Sequence, residues 1–321
     1  MTLTDSLLAG DRRALARLIT QIENDRPEAR TALAALYARA GRAHIVGVTG
    51  APGTGKSTLV NELARAFRQE NRAVGIIAVD PTSPFTGGAI LGDRIRMRDL
   101  AGDSGVYIRS MATRGNLGGL ARATGDAATA LDAAGFEVIL IETVGAGQSE
   151  VDVAGLAHTT LVVEAPGFGD DVQAIKAGIL EIADVLVVNK TDQPNAEATV
   201  RALRGMLMLG STQRPEHNEA KSMGAETAWE VPICETVATE GKGILELMGK
   251  IPDHRAYLEK SGGLIERQRE RIRHQIETTL RDTLYANFVD KNGRRDKISA
   301  AIESVLSRTA DPYTVVEALI K

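Results

Sequence analysis

The sequence predicts an α/β fold, a mostly parallel, doubly wound sheet with a helical hairpin before it and a helical arm after it. Three observations carry this. Short apolar β-type runs alternate with helical stretches between residues 44 and 252. Several of these runs are continuous rather than alternating, the pattern of strands covered on both faces. After about Ile251 the β-type runs stop and only helical periodicity remains.

The elements follow in order. Asp11 caps a helix from Arg12 to Asn24, with Leu15, Leu18, Ile19 and Ile22 on one face. Pro27 suits the first turn of a second helix, whose stripe of Leu33, Leu36, Tyr37 and Ala40 stops at Gly41. Residues 1–43 are thus an N-terminal helical extension. Strands are predicted over Ile45–Thr49, Val74–Val79, Val138–Glu142, Thr160–Glu164, Val185–Asn189 and Val231–Cys234, with Val106–Ser110 as an extra strand. They place a central domain at residues 44–252. Residues 253–321 form the arm. Ile265, Ile272, Ile276, Leu280, Leu284 and Phe288 make a stripe on a long helix that Asn292-Gly293 breaks. Ile298, Ile302, Val305 and Leu306 mark a second helix, and Asp311-Pro312 starts a third. The stripe either caps the same core or meets a second copy of itself.

Composition removes several function classes. The chain has 321 residues, 38 Lys plus Arg against 42 Asp plus Glu, and a formal net charge of −4. That balance argues against a dedicated nucleic-acid binder, which needs clustered positive charge. Aromatic residues are 3% of the chain, so base-stacking platforms are not expected. Cys234 is the one cysteine, which excludes an intramolecular disulfide or a multi-cysteine metal cage. The five histidines (His44, His158, His217, His254, His274) show no ligand spacing, so free metal is not an expected cargo. Met1 to Gly10 lacks a basic region followed by an apolar stretch, and no run of about 18 apolar residues occurs. The expectation is a cytoplasmic protein with no membrane or nucleic-acid partner.

The strongest motif is Gly50-Ala51-Pro52-Gly53-Thr54-Gly55-Lys56-Ser57. It fits the P-loop pattern and lies in the required context, after an apolar strand and before a helix from Thr58 to Gln69. Gly50, Gly53 and Gly55 let backbone N–H groups curl around phosphate oxygens, and the helix start adds positive dipole. Lys56 is expected to bridge the β- and γ-phosphates, Ser57 to ligate Mg²⁺, and Thr54 and Thr58 to complete the cradle. The central domain is therefore expected to be a P-loop nucleoside triphosphatase.

The base is read further on. The run ending at Asn189 continues as Lys190-Thr191-Asp192, an N-K-x-D tetrapeptide. An aspartate here can accept from both N1–H and the exocyclic amine of guanine, and adenine offers no such pair of donors. Asn189 should brace loops and the Lys190 stem should cover the base. GTP and GDP are therefore the expected ligands. Cys234-Glu235-Thr236 is expected as a further base-contacting loop after the last strand.

Between these motifs stand acidic residues at strand ends. Asp80 ends the second strand, Glu142 ends a later one, and Asp93 lies in Gly92-Asp93-Arg94. Each is a candidate Mg²⁺ ligand, directly or through water. Glu142-Thr143-Val144-Gly145 resembles the D-x-x-G element of GTPases with Glu for Asp, so the Gly145 N–H can sense the γ-phosphate. Gln148 stands third after that glycine rather than next to it. As a catalytic candidate it is expected to be misplaced at rest, so that hydrolysis is slow until a partner corrects it.

Three longer segments carry a family resemblance: residues 79–97, beginning Val79-Asp80-Pro81-Thr82-Ser83-Pro84-Phe85; Arg114-Gly115-Asn116-Leu117-Gly118-Gly119-Leu120; and Glu142 through Gln148-Ser149-Glu150. Together they resemble the MeaB/ArgK group, GTPase chaperones of methylmalonyl-CoA mutase that include the methylmalonic aciduria type A proteins. The resemblance covers the whole chain. It implies binding to that adenosylcobalamin-dependent mutase, gating of cofactor loading by GTP, and protection or reactivation of the enzyme. It also implies a homodimer built through the C-terminal arm, with Asp80, Asp93 and Glu142 around Mg²⁺ and the phosphates. The segment Gly167 to Gly178 matches the family's additional switch, with Asp170, Asp171, Gln173 and Lys176 as its polar members. No segment resembles a cobalamin-binding box, so cobalamin is expected only through the partner. A nucleotide-dependent kinase of the ArgK type is the alternative function, although N-K-T-D argues for GTP over the ATP a kinase would use.

Overall fold

The computed structural model describes residues 2–80, 98–100, 102–112, 119–143, 149–167, 180–210, 228–290 and 294–320. The apolar runs become seven strands: β1 His44–Thr49, β2 Val74–Asp80, β3 Val106–Ala112, β4 Val138–Thr143, β5 Thr159–Glu164, β6 Val185–Asn189 and β7 Ile233–Thr236. They form one sheet in the order β3-β2-β4-β1-β5-β6-β7. Every pairing is parallel. The mostly parallel, doubly wound α/β expectation is met, and Val106–Ser110 is part of an edge strand.

The continuous runs have a packing cause. Val46 and Val48 of β1, with Val138 and Leu140 of β4, face a core that includes Leu59, Leu63 and Phe67 of helix α4, Lys56–Gln69. Ile45, Ile139 and Ile141 face the other way, into a core shared with the N-terminal helices and with α5, Gly119–Ala133. Both faces of β1 and β4 are covered, so their runs are continuously apolar rather than alternating. A third cluster packs β6 against Leu203 of α7, Ala196–Gly210. Helix α6, Ser149–Leu156, leads into β5.

The N-terminal extension has three helices rather than two: α1 Leu3–Leu8, α2 Arg12–Glu23 and α3 Pro27–Leu36. The missed α1 carries a local signal. Thr2 Oγ1 accepts from Asp5 N at 3.1 Å and Asp5 Oδ2 accepts from Thr2 N at 3.0 Å, a reciprocal cap. Leu15, Leu18, Ile19 and Ile22 are buried, as the helical stripe predicts.

Strand β7 begins two residues later than its apolar pattern predicts. Pro232 has no N–H to give, and its carbonyl accepts from Leu186 N at 2.9 Å as the ladder starts. After β7, helix α8, Ile244–Ser261, contains Pro252 within its span. Helices α9 Gly263–Asp290, α10 Arg294–Leu306 and α11 Pro312–Ile320 follow.

The chain divides into two compact units, Met1–Gln268 and Arg269–Lys321. The first holds the sheet. In the second, Asp311 caps α11, accepting from Tyr313 N at 2.9 Å and from Thr314 N at 3.1 Å. Ile272, Ile276, Leu280 and Leu284 of α9 are exposed. Among the described residues no helix is long and apolar enough to cross a membrane.

Candidate nucleotide site

Parallel strands all end on one side of a sheet, and open α/β folds bind ligands there. Thr49, Asp80, Thr143, Asn189 and Thr236 are the last residues of their strands on that side. β1 leads into the glycine-rich loop, and the loop into α4, whose first residue is Lys56. Two glycines in the loop are sterically required. Gly50 has φ +134, and a Cβ there would lie 2.1 Å from the Val163 carbonyl oxygen of β5. Gly55 has φ +92, and a Cβ there would meet Asn189 Nδ2 at 2.4 Å. Thr54 is fully buried and its hydroxyl donates to the Ala51 carbonyl at 3.0 Å. Gly53 lies at the exposed tip, and Thr58 is half-buried on α4.

Lys56 is buried and lies back over the loop. Its Nζ donates to the carbonyls of Gly50 and Ala51, each at 2.8 Å. Ser57, the next residue, donates its hydroxyl to Glu142 Oε1 at 2.5 Å. Glu142 is 4% exposed on β4, where it pairs in register with Val48 of β1 and Ala78 of β2. The neighbouring Thr143 hydroxyl donates to Thr49 Oγ1 at 3.0 Å. A serine hydroxyl and a carboxylate at this distance are hard oxygen donors, the set that suits Mg²⁺. Asp80 closes β2 opposite Ala112 of β3 in register.

The N-K-x-D tetrapeptide lies against the same loop. Asn189 is buried at the end of β6. Its Nδ2 donates to the Thr54 carbonyl at 2.9 Å, and its Oδ1 accepts from Thr236 Oγ1 and Ala238 N, each at 3.1 Å. Lys190 takes φ +60, which swings its stem back so that Nζ donates to the Gly53 carbonyl at 2.7 Å. Thr191 N donates to the Thr236 carbonyl at 3.2 Å, fixing the turn that presents the exposed Asp192.

One loop expectation is corrected. Cys234, Glu235 and Thr236 are residues of β7, not of a loop beyond it. Cys234 faces the core with Leu247 and Ile251, where burial pushes its thiol up to about 11. Glu235 is exposed on the same strand. The loop starts at Val237, whose N–H donates to the Lys242 carbonyl at 3.1 Å. Ala238 enters the site through its backbone alone, so no side-chain pattern could have marked it. Asp93, Gly145, Gln148, Asp170, Asp171, Gln173 and Lys176 lie outside the described residues.

A parallel sheet whose P-loop lysine, serine and late-strand N-K-x-D converge in this way defines a P-loop nucleoside triphosphatase. The family model described as methylmalonyl Co-A mutase-associated GTPase MeaB matches residues 15–293, and the chain belongs to that family. A Pyrococcus abyssi relative, named as a GTPase, is 49% identical over 319 residues, covering 99% of this chain and 95% of its own. The Escherichia coli GTPase ArgK is 35% identical over 289 residues, with coverage of 88% and 85%. The mouse mitochondrial methylmalonic aciduria type A homolog is 30% identical over 276 residues, with coverage of 86% and 64%. A crystal structure of LAO/AO transport system kinase superposes with a TM-score of 0.68 at 24% identity, covering 99% and 95%, which shows a shared fold.

Proposed function

We propose that this protein binds and hydrolyses GTP with Mg²⁺ and acts as a chaperone of adenosylcobalamin-dependent methylmalonyl-CoA mutase, gating its cofactor loading and protecting or reactivating it. The nucleotide half rests on one observation above all: Asn189 joins the base-reading turn to the phosphate loop, so both ends of a guanine nucleotide meet residues set by one side chain. Lys56 neutralises the β- and γ-phosphates. Ser57 and Glu142, with Asp80 and Asp93, hold the metal, which when bound offsets phosphate charge. Asp192 selects guanine. Gly145 senses the γ-phosphate, and Gln148 orients the attacking water once the partner is bound.

The mutase half is supported by the family's name and by the name of the mouse relative. In this reading Asp170, Asp171, Gln173 and Lys176 relay the partner's presence to the nucleotide. The protein works in the cytoplasm as a homodimer through its C-terminal arm, and cobalamin stays on the mutase.

The test is a GTPase assay with and without methylmalonyl-CoA mutase, beside a pull-down in each nucleotide state. Stimulated turnover and nucleotide-dependent capture are expected. Equal turnover with and without the mutase would overturn the partner assignment. Transfer of phosphate from ATP to a protein, with no GTP hydrolysis, would favour the kinase alternative. Lys176→Ala should spare the intrinsic rate and blunt the stimulation.

A further inference from the structure

At the end of the sheet opposite the nucleotide loops, residues from four segments meet in a buried polar chain. His44 opens β1, Thr159 opens β5, Asp184 immediately precedes β6 and His254 lies on α8. Their exposures are 3%, 0%, 6% and 1%. His44 Nε2 lies 2.9 Å from Thr159 Oγ1, and that oxygen lies 2.9 Å from His254 Nδ1. His254 Nε2 lies 3.3 Å from Asp184 Oδ1. Asp184 also accepts from Thr160 N at 2.8 Å and from both prongs of Arg267, on the first turns of α9, at 2.8 Å each. The indole of Trp229 donates to the Asp184 carbonyl at 2.8 Å, and its ring centroid is 4.9 Å from that of His254.

A carboxylate paired to arginine only accepts. His254 Nε2 faces that carboxylate at ion-pair distance. Thr159 Oγ1 stands between the two rings, where its hydroxyl can donate to one ring nitrogen and accept from the other.

We infer that Arg267 and a proton on His254 compete for the Asp184 carboxylate, so that attachment of the first turns of α9 to the sheet is a proton-sensitive latch. The charges around His254 set the competition. Burial holds its imidazole down to about 4. Asp184 pulls it up and Arg267 pushes it down. His44 is held down to about 2, by burial first and then by His158, Arg255, His254 and Arg72. On α8 itself Tyr257 lies beside the ring and Asp253 is exposed. Asp184 is the group that favours the imidazolium, and Arg267 holds that same carboxylate. With Arg267 withdrawn, one buried carboxylate faces one imidazole, and the ring takes the proton. Both ring nitrogens are then donors, Nε2 toward Asp184 and Nδ1 toward Thr159. The Thr159 hydroxyl has to point its hydrogen away from His254, and the bonding at the start of β5 is re-sorted. That strand carries Val163 toward its other end.

Trp229 is the only tryptophan, so its fluorescence reads this node alone. Imidazolium quenches a neighbouring indole. The full-length protein is titrated from pH 8 downward, and the quenching midpoint in the parent is expected near 4. In Arg267→Gln it should move upward by about 1–3 pH units, the usual effect of one nearby charge. Adding His254→Gln should abolish it. An unmoved midpoint in Arg267→Gln, or a transition that survives His254→Gln, would overturn the latch. Should Arg267→Gln not fold, Arg267→Lys keeps a cation, and the parent itself remains testable. Its ¹⁵N histidine spectrum at pH 7 must show His44 and His254 as neutral rings; an imidazolium at either rejects the proposal.

Discussion

Asn189 Nδ2 donates to the Thr54 carbonyl over 2.9 Å, so the strand that carries the N-K-x-D turn holds the glycine-rich loop. The same side chain receives Thr236 Oγ1 and Ala238 N on its oxygen. Asn189→Ala leaves buried groups in three segments without this partner, at about 1–3 kcal/mol for an unsatisfied group. GTP and GDP affinity should fall together by about tenfold or more. Asp192→Asn should behave differently, shifting preference from guanine to xanthine nucleotides with the loop intact. Titration with fluorescent nucleotide analogues separates the two patterns. Parent-like affinity in Asn189→Ala would make the clamp incidental.

Gly50→Ala is expected to be far worse than Gly41→Ala, although both positions have positive φ. A Cβ at Gly50 would stand 2.1 Å from the Val163 backbone oxygen, and one at Gly41 meets nothing within 4 Å. The β5 ladder fixes Val163, so nothing there can give. Gly41→Ala should cost about 1 kcal/mol, the usual left-handed penalty. Gly50→Ala should cost more than about 3 kcal/mol or distort the nucleotide loop. Urea unfolding of the two variants decides the matter, and equal costs would refute the close-approach argument.

What the sequence exposed, and what it hid, divides by how local the cause is. The glycine-rich loop and the N-K-x-D turn are contiguous, so their chemistry is written in adjacent residues. β1, β4 and β6 were legible because both their faces are packed. β7 was offset because Pro232 removes a ladder donor that apolarity does not register. The partners of Asn189 lie up to 135 residues away in the chain, and only the fold brings them together. The histidines show this most clearly. Spacing made them look scattered, yet His44 and His254 bracket one threonine because β1, β5 and α8 meet at one sheet end.

Glu142→Gln should uncouple metal from nucleotide. Glu142 is buried and accepts from the Ser57 hydroxyl, and the amide keeps its shape while removing the charge. GTP binding without Mg²⁺ should be unchanged or slightly tighter, since a buried negative charge beside the phosphate site is gone. The Mg²⁺ concentration needed for full GTP affinity should rise by about tenfold, as expected for loss of one charged ligand group. Calorimetry at several Mg²⁺ concentrations measures both. An unaltered metal requirement would remove Glu142 from the site.

Asp126 on α5 supplies a prediction with a definite sign in pH. Burial raises its carboxyl from 3.8 to about 6; Arg122 and Arg30 oppose the rise and Asp25 adds to it. Arg122 is itself engaged with Asp25 at 3.0 Å, which limits what it gives to Asp126. Between pH 3.8 and 6 the folded state therefore keeps a proton that the unfolded chain releases. The stability this group contributes is full below about 4 and is lost as pH rises through 6. Asp126→Asn removes that titration. The variant should be more stable than the parent at pH 7 by roughly 1–3 kcal/mol, and the gap should close as pH falls toward 4. The depressed His44 and His254 give the opposite slope, since they bind fewer protons folded than unfolded. That slope is common to both proteins and cancels in the difference. Chemical unfolding of parent and variant at pH 7, 6, 5 and 4 tests this. A gap that does not change with pH would mean that Asp126 is not held protonated by the fold.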